Sequence, residues 1–292
     1  MSDVLERCGI NEFTTMYSSF EEDVASYASI GFGGIGVCLQ KLEGRPVRSF
    51  WFPEALIDTT VLDHAAQVVR EAGLRTTHVL CSGMYTEPDA EARPRRIEHT
   101  AFALDAAERF EADCLLVIPG RLFGQTKARA MQLAADALSD ILAASEGSTM
   151  PLAIEPVTNV DFAHTLSDAL DLVDLVDSPR LGVYLDTFHL WQNDGITEQI
   201  ERAGARIFGV HVADGAGVAN SQERLVPGEG VIPIVEFLES VVRTGYRGSY
   251  DIELFGEEIW KDDAPELLQR CAASLEALLP AAESAAERAP RG

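Results

Sequence analysis

Long apolar runs are missing from this chain of 292 residues. No stretch reaches the roughly 18 apolar residues that a membrane span needs, so no membrane association is expected. The opening MSDVLERCGI has no apolar segment of signal-peptide type. Positive charge is also scarce: 23 Lys and Arg stand against 47 Asp and Glu, a formal charge of −24. Such a chain repels phosphate backbones, which argues against nucleic acid as a partner. Closely spaced cysteine pairs are lacking too. Cys8, Cys38, Cys81, Cys114 and Cys271 are odd in number and no two form a CxxC. Four sit in apolar, strand-like runs, so reduced core thiols of a cytoplasmic protein are expected.

What the chain does have is an apolar content of 47%, enough for a large core, arranged with a clear rhythm. Short apolar runs alternate with longer amphipathic ones eight times. The candidate strands are Cys8–Phe13, Gly34–Leu39, Arg75–Cys81, Cys114–Pro119, Pro151–Pro156, Leu181–Thr187, Ile207–Ala213 and Ser249–Phe255. Each is rich in Val, Ile and Leu and bounded by Gly, Pro or charge, as buried parallel strands are.

The intervening segments read as helices. Over Lys127–Ser145, residues Met131, Ala134, Ala135, Leu138, Ile141 and Leu142 fall on one stripe. Ser19-Phe20-Glu21-Glu22 is a capping box, and Thr165 to Asp168 carries a similar start signal. Eight strand–helix units close a parallel α/β arrangement, the TIM (β/α)8 barrel, which takes about 250 residues as one domain. Residues 1–280 are therefore expected to form a single TIM-barrel domain, with 281–292 a frayed tail. Two strand-to-helix connections are long, about 82–94 and 214–230, and both fall on the face where barrels build active sites.

Four polar residues end successive apolar runs. "LAIEPV" ends with Glu155 in place, "GVYLDTFHLW" contributes Asp186, "IFGVHVAD" His211 and "SYDIELF" Glu253. Carboxylates are seldom buried unless paired or bound to a cation, and three meeting at one mouth would repel. A single divalent cation removes the conflict. Three carboxylates and an imidazole suit Mn²⁺ first, with Mg²⁺, Co²⁺ and Zn²⁺ compatible. Any one of the four alone would as readily be a helix cap or salt-bridge partner; it is the set on four consecutive strands that points to a site.

At these residues the chain resembles the sugar isomerase/epimerase superfamily with its xylose-isomerase-like TIM barrel. The likeness is most specific from Leu152 to about Asp263. "RLVPGEGVIPI" and "TGYRGSYDIELFGEEIW" look most like the inosose isomerase branch. The resemblance implies that Glu155, Asp186, His211 and Glu253 hold the metal, and that Glu155 and Glu253 are the catalytic carboxylates facing each other across a substrate. It also implies that His189 and Arg224 contact substrate oxygens. The implied substrate is a small keto sugar or cyclic polyol ketone, isomerised or epimerised through an enediolate. Asp161 stands where the epimerases carry a further Glu. Barrels of this kind often form dimers or tetramers, so a homo-oligomer is compatible.

Several other roles are expected from position. Asp214 would orient His211 or the following loop from behind the ligands. Trp191 and Trp260 suit either stacking on a sugar or simple packing. His78, inside the third strand, reads as a satisfied core histidine. His64, His99 and His164 fall in or beside helices. Three alternatives remain. A lyase of the same superfamily, either an inosose dehydratase or an enzyme cleaving 3-keto C-glycosides with a β-rich partner subunit, uses the same ligands. An endonuclease on this barrel needs a His-rich multi-metal centre and a basic groove, which the charge opposes. A binding protein would have no use for both carboxylates.

Overall fold

The computed structural model describes residues 3–43, 56–218 and 221–288. Positions 219–220 of the long second loop and the last four residues of the expected tail lie outside them, as does most of "EGRPVRSFW" in the first half.

Eight parallel strands close into a barrel in chain order. They are β1 (Cys8–Asn11), β2 (Gly34–Val37), β3 (Arg75–Cys81), β4 (Leu115–Val117), β5 (Leu152–Ile154), β6 (Leu181–Asp186), β7 (Ile207–Val212) and β8 (Tyr250–Ile252), with β8 pairing back onto β1. Most stop earlier than the apolar runs suggest. Pro119 and Pro156 have no N–H with which to continue the ladder, and the chain turns away into the mouth at Glu155 and Glu253. The helices are α1 (Phe20–Ile30), α2 (Thr59–Glu71), α3 (Ala92–Arg109), α4 (Lys127–Ala144), α5 (Leu166–Val176), α6 (Thr187–Leu190), α7 (Ile196–Ala203), α8 (Ile234–Arg243) and α9 (Ala264–Arg288).

Local signals act as expected. Ser19 Oγ accepts from Glu22 N while Glu22 Oε2 accepts from Ser19 N, closing the capping box of α1. Thr165 Oγ1 accepts from Asp168 N at the start of α5. Helix α3 begins at Ala92, inside the expected 82–94 loop. Pro94 fits in its first turn, where a missing N–H costs nothing. Helix α9 continues to Arg288, past the expected start of the tail at 281. Buried Ala282 and an Arg7–Glu283 ion pair of 2.8 Å hold that end. All five cysteines are free and buried.

Alternation along each strand divides the interior in two. Ile10, Ile35, Val79, Leu115, Val183 and Ile252 pack outward against the helices. Cys114, Leu116, Ala153 and Tyr184, with Leu80 and Phe208, form a second apolar group, in which Tyr184 alternates with the outward-facing Val183. Asn11, His78 and Asp251 join Tyr184 in a buried polar layer. Glycines make room for this layer. A Cβ on Gly9 would lie 2.1 Å from Asp251 Oδ1, one on Gly36 would lie 2.2 Å from the His78 ring, and one on Gly209 would lie 2.0 Å from the Tyr184 ring.

Candidate active site

Glu155, Asp186, His211 and Glu253 meet at the carboxyl ends of β5 to β8. One candidate ligand atom from each lies within 4.8 Å of the others, and all four residues are buried. Their positions follow from the local chain. Asp186 ends β6 and caps α6, its Oδ1 accepting from Phe188 N at 2.7 Å. That leaves Oδ2 turned to the site, where the Arg224 guanidinium is its charged neighbour. His211 pairs in register with Asp186 on one side and Asp251 on the other. Its Nδ1 lies 2.9 Å from Glu155 Oε1 and 3.6 Å from Glu253 Oε2.

Arg224 is buried rather than on the rim. Its Nη1 contacts Glu253 Oε2 at 2.5 Å and Asp186 Oδ2 at 3.0 Å. Its Nη2 donates to His189 Nε2 at 2.9 Å, and the guanidinium lies 5.0 Å over the Phe188 ring. The loop that carries it is pinned by Arg224 N donating to Phe255 O. On its other side, His189 Nδ1 lies 3.0 Å from Thr158 Oγ1 and accepts from Thr158 N at 3.4 Å. Burial and the Arg224 charge hold this imidazole well below its ordinary pKa, so it is neutral.

The protein's own charges already separate the two glutamates. Burial pushes Glu155 up, and the neighbouring carboxylates of Glu253 and Asp186 add to that against the pull of His211, leaving it at about 7. Burial also opposes ionisation of Glu253, but His211 and Arg224 outweigh it and hold that carboxyl below its usual range. Burial likewise disfavours a charged His211, yet Glu253 and Glu155 raise it to about 9.

Asp214 does not reach His211. Its carboxylate accepts four backbone N–H groups, from Gly215 and Ile232 on Oδ1 and from Gly228 and Gly230 on Oδ2. Of its two expected roles it takes the second, folding the loop. Asp161 accepts from Leu122 N at 2.7 Å. Trp260 donates to Phe13 O and packs edge-on to Phe255 and Tyr17. Trp191 borders a cleft of about 660 Å³ beside His189. His78 is a satisfied core histidine, bonded at both ring nitrogens.

Two features escaped the sequence reading. Asp251, two residues before Glu253, shares its lumen-facing side of β8; the D-x-E spacing in "SYDIELF" carried that signal. Glu12, just after β1, is buried with Oε2 accepting from Cys38 N and is raised to about 8 by burial. Nearby, Lys41 in the turn after β2 pairs with Asp23 of α1 at 2.5 Å, a buried ion pair.

The closed eight-stranded barrel, with carboxylates and an imidazole gathered at its carboxyl mouth, agrees with the comparisons with known proteins. The chain matches the xylose isomerase-like TIM barrel family over residues 24–285 and belongs to it. It is similar to a D-psicose 3-epimerase of Enterocloster bolteae, 32% identical over 114 residues, 36% of each chain. It is similar to an inosose isomerase of Bacillus subtilis, 27% identical over 140 residues, 46% of this chain and 50% of that one. A 3-dehydroshikimate dehydratase of Pseudomonas aeruginosa is 36% identical over 101 residues, 32% of this chain and 16% of the other. These matches span from 16% to 50% of the relatives' own lengths. Among solved structures, protein SMc04130 of Sinorhizobium meliloti superimposes with a TM-score of 0.83 at 25% identity, over 94% of this chain and 98% of that one. The IolI protein with a bound zinc atom superimposes with a TM-score of 0.81 at 20% identity, over the same shares. No helix among the described residues is long and apolar enough to cross a membrane.

Proposed function

We propose that this protein is a divalent-metal-dependent isomerase or epimerase that moves a proton beside the carbonyl of a keto sugar or keto-inositol. One observation carries the reading: Glu155, Asp186, His211 and Glu253, all buried, present ligand atoms within 4.8 Å of one another. Three carboxylates at that spacing repel, and Asp186 Oδ2 and its neighbours form a donor set suited to a hard divalent cation. These four residues would hold it, with Mn²⁺ the first choice and Mg²⁺, Co²⁺ or Zn²⁺ also fitting the donors. When bound, the ion supplies a Lewis acid that stabilises negative charge on the substrate's oxygens.

The rest is done by the chain's own groups. Glu155 and Glu253 flank the same space, and one takes the proton beside the carbonyl while the other returns it. Return to the neighbouring carbon isomerises; return to the opposite face epimerises. Arg224 brings a fixed cation to a developing oxyanion, and neutral His189 provides a hydrogen-bonding edge beside it. The adjoining cleft is lined by Thr158, Asn159, Trp191, Gln192, Asn193 and Gln222 among others, with no Lys or Arg among the described residues of its wall. That lining favours an uncharged polyol over a sugar phosphate. The buried free thiols suit a cytoplasmic protein. The similarity to a dehydratase supports a second reading, loss of a β-hydroxyl from the same enediolate.

The test is deuterium incorporation from D₂O into a panel of ketoses, inososes and 3-keto-glycosides, with Mn²⁺ and with a chelator. Metal-dependent exchange at the carbon beside the carbonyl is expected. A dehydrated product would move the assignment to a lyase, and no exchange with any of them would end the reading.

A further inference from the structure

His189 has two neighbourhoods. On one side its Nε2 meets Arg224 Nη2 at 2.9 Å and lies 3.7 Å from Asp186 Oδ2, which ties it to the four clustered residues. On the other it forms part of the wall of the cleft of about 660 Å³. Glu155, Asp186, His211 and Glu253 do not line that cleft. The space for reaction and the cleft are thus adjacent chambers, with His189 at their boundary. Pockets of roughly 300–1,000 Å³ take ligands of drug size, well beyond one hexose ring. A free monosaccharide held at the four residues would leave the second chamber to water.

The lining fits a particular chemistry. Asn159 and Gln192 bring side-chain amides, which both donate and accept, and Thr158 brings a hydroxyl. Glu223 is the carboxylate in the wall, and its two oxygens already accept backbone N–H groups from Glu257 and Glu258. No Lys or Arg stands among the described residues of the wall to hold a phosphate or carboxylate.

The two tryptophans of the mouth differ. Trp260 is committed to packing: its indole N–H donates to Phe13 O, and its ring lies edge-on to Phe255 and Tyr17. Trp191 is half-buried at the cleft. Its backbone N–H donates to Thr187 O, but among the described residues no ring pairs with its indole and no group accepts the indole N–H. An apolar ring with a polar edge, set beside amides, suits a sugar ring: the C–H face stacks while the hydroxyls find hydrogen bonds.

We infer that this cleft is a second binding subsite, for a neutral, hydroxyl-rich unit joined to the reacting ketone, with Trp191 as its platform. The substrate is then a glycosylated ketone rather than a free monosaccharide. This rests on the proposed reading of the four clustered residues as the place of reaction: they handle the carbonyl end, and the cleft holds the rest. Contacts remote from the reacting carbon raise kcat/KM.

The experiment follows deuterium exchange from D₂O by the Mn²⁺-loaded protein. The probes are D-fructose and turanose, maltulose and palatinose, in which the same fructose carries a glucosyl unit at different hydroxyls. At least one of the glucosylated ketoses is expected to exceed fructose in kcat/KM by about tenfold or more. Trp191→Ala is expected to cut that ratio by about fivefold or more, whereas a merely structural loss would lower both values and leave the ratio alone. Fructose preferred over every glucosylated ketose, or a ratio untouched in Trp191→Ala, overturns the inference and leaves the metal reading standing. An equal gain with fructose 6-phosphate overturns the neutral character of the subsite. No exchange with these ketoses or with inososes is the failure of the reaction reading, and saturation-transfer NMR of wild type then decides the subsite by itself. Glucosyl protons of palatinose saturated as strongly as those of its ketose are expected, and a glucosyl ring left unsaturated overturns the inference. The same measurement decides should Trp191→Ala not fold.

Discussion

Arg224 Nη1 stands 3.0 Å from Asp186 Oδ2, within a pocket that both residues leave almost wholly closed to solvent. The guanidinium therefore shares a carboxylate with the space proposed for the metal. Arg224→Ala should cut kcat/KM by about 100-fold, the usual effect of losing one charge-stabilising donor. It should also destabilise the metal-free fold by about 3–5 kcal/mol, because Asp186 and Glu253 lose a buried partner. Urea denaturation and steady-state kinetics read the two effects. Added Mn²⁺ should raise the melting temperature of the variant more than that of wild type; equal shifts would mean that arginine and ion do not share the carboxylates.

The two glutamates should respond alike to neutralisation. Glu155→Gln and Glu253→Gln are each expected to lower turnover by about 10²- to 10⁴-fold, the range for loss of a general acid or base. Each also supplies a ligand oxygen, so metal affinity should fall as well. Turnover at wild-type rates in either variant would remove that residue from the proton path.

Metal binding should release protons. With Glu155 raised to about 7 and His211 to about 9, both must give up a proton to become ligands. Calorimetry in buffers of different ionisation enthalpy should find about one proton released per ion at pH 8 and about two at pH 6. Without metal, the folded state binds more protons than the unfolded chain, since both values lie above the ordinary 4.5 and 6.5. These two groups should therefore make the metal-free protein lose stability as pH rises from about 4.5 through about 9. A flat pH dependence of both proton release and stability would refute the shifts.

Much of this was legible in the sequence because strand ends advertise themselves. Glu155, Asp186, His211 and Glu253 each interrupt an apolar run, so eight periods and four interruptions locate the mouth. Ser19 and Thr165 were legible for the same reason, since a cap is a local chemical signal. Arg224 was identifiable, but its burial was not: that depends on the long β7–α8 loop folding back across the mouth. Asp251 was hidden because a single acidic residue inside a strand looks like an exposed one until the barrel closes. The extent of α9 was missed because Ala- and Glu-rich sequence after Pro280 resembles a tail, and only contacts such as Arg7 with Glu283 order it.

The loop over the mouth should depend on one carboxylate. Asp214→Asn replaces an acceptor oxygen that takes two backbone N–H groups with an amide that donates, at a cost of about 1–3 kcal/mol. Faster hydrogen exchange at Gly228, Gly230 and Ile232 is expected, with KM rising more than kcat falls because Arg224 rides on the same loop. Unchanged exchange at those amides would show that the loop is held elsewhere.

The lumen should tolerate no added carbon beside Tyr184. Gly209→Ala would put a Cβ 2.0 Å from that ring, and overpacking of this kind costs about 1–3 kcal/mol. Chemical denaturation should register the loss. A variant as stable as wild type would show the ring has room to move.

The four clustered residues come from β5, β6, β7 and β8, and none comes from the first four strands. The barrel is thus chemically lopsided. One semicircle of loops is tied to the reaction, whereas the other can drift in length and composition without disturbing it. New substrate preferences are most accessible to evolution, or to a designer, by rewriting the connections after β1 to β4 and leaving the opposite arc alone.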